Sequence, residues 1–110
     1  MTEIKIALEF SRYPGGRYRS RGKYSGEEFR DDVLIPALEG DEELCVILDG
    51  TAGYGSSFLE EAFGGLIRAG INVELLKAKL RPVAENEDFE TYVQEIWQYI
   101  DEAASRVKTA

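Results

Sequence analysis

VILDGTAGYGSSFLEEAFGGLIRAG, residues 46–70, joins an apolar run, a glycine-rich turn, a serine pair and an amphipathic segment. Leu44 to Leu48 is uninterrupted apolar sequence, as a strand covered on both faces requires, and Asp49-Gly50 ends it. Gly50, Gly53 and Gly55 then make a loop. Ser57-Phe58-Leu59-Glu60 has the S-x-x-E spacing of a capping box, in which hydroxyl and carboxylate each take a backbone N–H at the helix start. This spacing predicts a helix beginning at Ser57 with the Ser57 hydroxyl as its cap. Phe58, Leu59, Ala62, Phe63, Leu66 and Ile67 make one apolar face, and Gly70 is the expected left-handed terminator. Gly64 and Gly65 each cost a helix about 1 kcal/mol relative to alanine. Close approach of another backbone is the expected compensation, with the helix pressed on a sheet.

Working outward, Ile4, Ile6, Leu8 and Phe10 alternate with Lys5, Ala7 and Glu9, which predicts a first strand. Tyr13-Pro14-Gly15-Gly16 reads as a turn. From Arg17 to Tyr24 cations alternate with tyrosine, serine and glycine, which predicts a short second strand forming a hairpin with the first. Its arginines either guard an exposed sheet edge or grip an anion, and Arg17, Arg19 and Arg21 are the candidates for the latter. Ser25-Gly26-Glu27-Glu28 repeats the capping-box spacing, so a helix is expected from Gly26, kinked or broken at Pro36. Ile71, Val73 and Leu75 alternate as a further strand, and Lys77 to Pro82 reads as a basic connection. Asn86 caps a long final helix carrying Phe89, Tyr92, Val93, Ile96, Trp97 and Ile100 at steps of three and four. The expected order is β-β-α-β-α-β-α: an α/β fold with a small mixed sheet of about four strands and three to four packed helices.

The 110 residues, 44% of them hydrophobic, suit a single domain spanning 1–110. The start, MTEIKIALEF, lacks the pattern of a signal peptide and no apolar run is long enough to span a membrane, so a soluble, cytoplasmic protein is expected. One cysteine, Cys45, falls inside the apolar strand, which excludes a disulfide framework and assigns it to packing. The chain has no histidine, the commonest general base and metal ligand, so neither a catalytic residue nor a metal site nor a cofactor is assigned. Net charge is −8, yet residues 12–23 carry +5, which leaves −13 on the rest. That balance opposes the approach of nucleic acid.

Gly50 to Ser57 nearly matches the phosphate-loop pattern G-x-x-x-x-G-K-[ST], but Ser56 stands where the lysine belongs. Triphosphate hydrolysis therefore lacks its cation, while backbone binding of a simple anion or nucleotide stays open. A nucleophile elbow fails on the C-terminal side of the serine pair, where Phe58 stands and no glycine follows. Glu60-Glu61 and Asp31-Asp32 are adjacent pairs that diverge on a helix, and read as solvated faces.

Two blocks carry a resemblance: D-G-T-x-G-Y-G-S-S-F-L-E-E-A-F-G-G-L at 49–66 and R-Y-x-S-x-G-x-Y-S-G-E-x-F-R at 17–30. Together they resemble the bacterial STAS-like domain family of unknown function, over nearly the whole chain. That family is related in fold to anti-anti-sigma factors, in which a serine or threonine at the start of the second helix is phosphorylated by a kinase of the anti-sigma type, dissolving their complex. The resemblance implies Ser57 as phospho-acceptor, with Ser56 beside it. Gly55 and Phe58 replace the acid and the glycine that flank the relatives' site. It also implies a non-enzymatic module that binds a protein partner, such as a kinase-type ATPase, through Gly53, Tyr54, Gly55, Ser56, Ser57, Glu60 and Glu61. The alternative is a sensor of a small anion or nucleotide at the same loop, helped by Arg17 or Arg19.

Overall fold

The structure is a computed structural model that describes residues 2–109. Three parallel strands, β1 Thr2–Lys5, β2 Leu44–Ile47 and β3 Leu80–Val83, lie in the order β1-β2-β3. Ile4 sits opposite Val46, and Val46 opposite Pro82. All four residues of β2 are buried, as its apolar run requires. Pro82 is on an edge strand, where its missing donor is tolerated.

Five α-helices accompany the sheet among the described residues. The first, α1, is a single turn, Ile6–Glu9. In α2 (26–38), Gly26–Phe29 runs through the π-helical turn Arg30–Leu34 into Ile35–Leu38. Next, α3 (56–68) has the same construction: Ser56–Leu59, the π turn Glu60–Gly64, then Gly65–Arg68. Val73–Lys79 is α4 and Glu90–Thr109 is α5. No helix is long and apolar enough to cross a membrane among the described residues.

The strand count is three rather than about four, and the sheet is parallel rather than mixed, because the expected hairpin does not form. After Lys5 the chain coils into α1, which places Ile6 and Phe10 toward the core and leaves Leu8 70% exposed. Ile6 and Phe10 fit a helical step of four as well as a strand step of two, and tertiary contact selects the helix. Residues 17–24, expected as the second strand, form a loop with a 3-10 turn at Arg19–Arg21 and a left-handed Tyr24 at φ 57. Residues 71–75, expected as a strand, instead enter α4, capped by Asn72 Oδ1, which accepts the Glu74 N–H at 2.7 Å. The strand lies one element later, in the stretch read as a connection.

Helix α2 does not break at Pro36, which occupies the first turn of the segment after the π turn. The wider π turn is a local departure from the i→i−4 ladder, in the stretch where proline cannot donate. At its start Ser25 Oγ accepts the Glu28 N–H at 3.0 Å, and Glu28 Oε1 accepts the Tyr24 N–H at 3.1 Å. The capping box is thus made, with its return bond one residue early.

The core gathers on α3, whose Phe58, Leu59, Ala62, Phe63 and Leu66 are fully buried. Phe58 lies tilted against Phe29 and Phe63 edge-on to it, with ring centroids 6.0 and 6.3 Å from Phe29. Helices α2 and α5 both pack against α3. A Cβ added to Gly26 would lie 2.5 Å from the Phe58 carbonyl oxygen, and one added to Gly64 would lie 3.3 Å from the Tyr99 carbonyl oxygen. Of the two glycines of α3, Gly64 admits a neighbouring backbone, that of α5 rather than of the sheet, and Gly65 makes room for the Arg30 side chain.

Candidate functional site

Gly50 and Gly53 have φ of +90 and +117, a left-handed region that glycine enters without strain, so the loop after β2 turns sharply into α3. Asp49 clamps the loop's base: its two carboxylate oxygens accept the Glu85 and Asn86 N–H groups, each at 2.7 Å. Nothing in the sequence reading singled out Asp49 beyond its ending the strand, because its partners lie far along the chain. Tyr54 is buried; its hydroxyl donates to the Leu48 carbonyl at 2.7 Å and its ring meets Tyr92 edge-on. Burial pushes the Tyr54 phenol up to about 12.

Ser56 and Ser57 are both exposed at the start of α3. The expected capping box is absent: Gly55 is the N-cap, the helix starts at Ser56, and neither serine hydroxyl caps it. Glycine serves adequately at that position, and Glu60, the return partner the box needs, is drawn away by arginines.

Those arginines overturn the reading of Glu60 and Glu61 as a solvated pair. Arg17 Nη1 donates to Glu60 Oε1 at 2.5 Å and to Glu61 Oε1 at 3.1 Å. Arg68 donates to Glu60 Oε2 at 2.7 Å and Oε1 at 3.0 Å, and reaches Glu61 Oε1 at 3.3 Å. Arg30 pairs with Glu61 Oε2. Glu61's side chain is 9% exposed and Glu60's 17%. Hydrogen bonds from Arg68 and then Arg17 hold the Glu60 carboxyl below its usual range, against the opposing effect of burial. Wheel positions alone could not reveal this cluster, because the three cations come from the 12–24 loop, α2 and the end of α3. The surplus of arginine around the motif was the available signal.

The other sequence candidates are dispersed. Arg19 pairs with Asp32 at 2.7 Å, so Arg17 and Arg19 are both engaged by carboxylates. Arg21 is exposed, with no carboxylate at ion-pair distance among the described residues. Gly55, Ser56 and Ser57 form the exposed part of the expected interaction surface, and Glu60 is half-buried. Tyr54 and Glu61 lie beneath it and support it. Cys45 is buried in β2, and burial, with Glu3 and Glu85 nearby, pushes its thiol up.

The stretch 25–90, from the cap of α2 to the start of α5, matches a family model, the STAS-like domain of unknown function (DUF4325). The chain belongs to this STAS-like family. The match spans more than half of the chain and contains β2, β3, the glycine-rich loop, the serine pair and the Glu60–Glu61 cluster, with Arg17 outside it. No curated protein and no solved structure matches the chain.

Proposed function

We propose that this STAS-like domain is a non-enzymatic interaction module whose exposed helix start, Gly55 to Ser57 with Glu60, docks on a protein partner and is switched by phosphorylation of its serine pair. The observation that carries the reading is the exposure of two adjacent hydroxyls at the start of the helix on which the core is built. A change of charge there alters the docking face and leaves the packed side of α3 untouched. With no histidine in the chain and Glu60 and Glu61 engaged by arginines, the hydroxyls have no base to activate them. They suit acceptance of a phosphoryl group brought by a partner better than nucleophilic catalysis. A kinase-type ATPase, by analogy with the anti-anti-sigma relatives, is the partner class this reading names, and a bacterial cytoplasm is its setting.

Binding of a candidate ATPase to the wild-type chain and to Ser57→Asp, measured by calorimetry, tests the proposal. Loss of binding in Ser57→Asp, with an unchanged melting temperature, is expected. Equal affinities would defeat it. The rival reading, an anion or nucleotide sensor at the loop, draws no support from Arg17 and Arg19, whose guanidiniums are already engaged by Glu60, Glu61 and Asp32.

A further inference from the structure

We propose that the cleft outside the carboxyl ends of the strands binds a small zwitterion, a free α-amino acid with an apolar side chain. The strands run in sequential order, and crossovers of one hand then put α2 and α3 on the same face of the sheet. Ile4, Leu44, Val46 and Leu80 belong to the core on that face, whereas Ile47 is buried outside it, on the other. There a cleft of about 250 Å³ opens, lined by Lys5, Leu8, Arg12, Ile47, Asp49 and Glu85. Ligands of open parallel sheets gather at this edge, where the loops leaving the strands are no longer tied into the ladder. Gly50, also on the wall, keeps the cleft open: a Cβ there would stand 3.2 Å from the Ala7 Cβ. Ser56 and Ser57 are not part of the lining.

The lining offers a counterpart to each part of such a ligand. Arg17, Arg19, Arg30, Arg68 and Arg81 are all engaged by carboxylates. Among the described residues, neither the Lys5 ammonium nor the Arg12 guanidinium has an ion pair or a side-chain hydrogen bond. Both residues are exposed, and a ligand carboxylate would take charge-assisted bonds from them. Asp49 is already fixed in place: its two oxygens accept the Glu85 and Asn86 N–H groups, which leaves each oxygen a second lone pair. Those lone pairs, with the exposed Glu85 carboxylate, suit an ammonium group. Two cations and two acids share the wall, so a ligand with one sign of charge is repelled by half of them and a zwitterion is not. Leu8, 70% exposed, and Ile47 give the ligand's apolar side chain its contact. The volume is below the roughly 300–1,000 Å³ of clefts that take drug-sized ligands, which fits a single amino acid.

Amide NMR spectra of the full chain, titrated with L-leucine, L-valine and L-methionine, test the site. Isocaproate and isoamylamine, which are leucine without its ammonium and without its carboxylate, are the comparison probes. At least one of the three amino acids should shift the amides of Leu8, Gly50 and Glu85 saturably and leave those of Ser56 and Ser57 in place. Each comparison probe should bind about tenfold more weakly than leucine, having lost one set of charge-assisted bonds. Arg12→Gln and Lys5→Gln should each weaken amino-acid binding about tenfold for the same reason. Both side chains are exposed, so the fold is retained, and the dispersion of the same spectra verifies it. Absence of saturable shifts with all three amino acids would overturn the assignment. So would isocaproate binding as tightly as leucine, or amino-acid binding that neither substitution weakens.

Discussion

Arg30 and Glu61 meet where the π turns of α2 and α3 face one another, and Arg30 reaches both the carboxylate and, at 3.4 Å, the main-chain carbonyl of Glu61. Removing one member of such a shielded pair leaves a charge without its best partner. Arg30→Ala should therefore lower unfolding free energy by about 2–3 kcal/mol, short of the largest losses because Arg17 and Arg68 also reach Glu61. The double variant Arg30→Met with Glu61→Met should lose less than the single one, since no charge is then stranded. Urea denaturation of the three proteins checks the order.

Glu60 supplies the acid sensitivity of the cluster. Its folded-state pKa is lowered by Arg68 and Arg17, so its contribution to stability is present above the unfolded-state value. As pH falls through the lower folded value, that contribution disappears. Glu60→Gln should flatten the fall in melting temperature between neutral and acid pH. A wild-type slope in the variant would remove Glu60 from the account.

Tyr54 should set an alkaline limit. Its phenol titrates at about 12 in the folded protein, above its ordinary value of 10.0, so the folded state holds the proton more tightly. Stability from this group is full below the ordinary value and is lost as pH rises toward the folded one. Absorbance of tyrosinate should show that the last tyrosine to titrate is the one Tyr54→Phe removes, while Tyr99, also raised by burial, remains. The same substitution should cost about 1 kcal/mol for the lost bond to the Leu48 carbonyl.

Gly26 is required by the crossing of α2 over α3. Alanine there would set a methyl 2.5 Å from the Phe58 carbonyl oxygen and 3.1 Å from the Ala62 nitrogen, both backbone atoms. Gly26→Ala should destabilise by about 1–3 kcal/mol despite its better helix propensity. Gly40→Ala, whose nearest contact would be at 3.8 Å, is the control and should change little.

Much of the centre of this fold was legible: β2 from its apolar run, the apolar face of α3 from its spacing, the Ser25 cap from S-x-x-E, and the start of the last helical region from Asn86. The edges were not. Ile6 and Phe10 satisfy both periods, and contact with Phe29 and Phe58 decides in favour of the helix. β3 was hidden because Arg81-Pro82 lacks strand character and survives only on a sheet edge. The serine pair was found at its helix start, but its arginine neighbours were not, since Arg17 and Glu60 are 43 residues apart and nothing local encodes their meeting.

A photo-reactive amino acid at position 57, activated in cells of the source organism, tests most directly whether the start of α3 is the docking face. Position 105, exposed on α5, is the comparison. The account predicts that position 57 becomes covalently joined to one protein, identified by mass spectrometry as a nucleotide-binding ATPase, and that position 105 does not. The same adduct from both positions, or adducts from 105 alone, would contradict it.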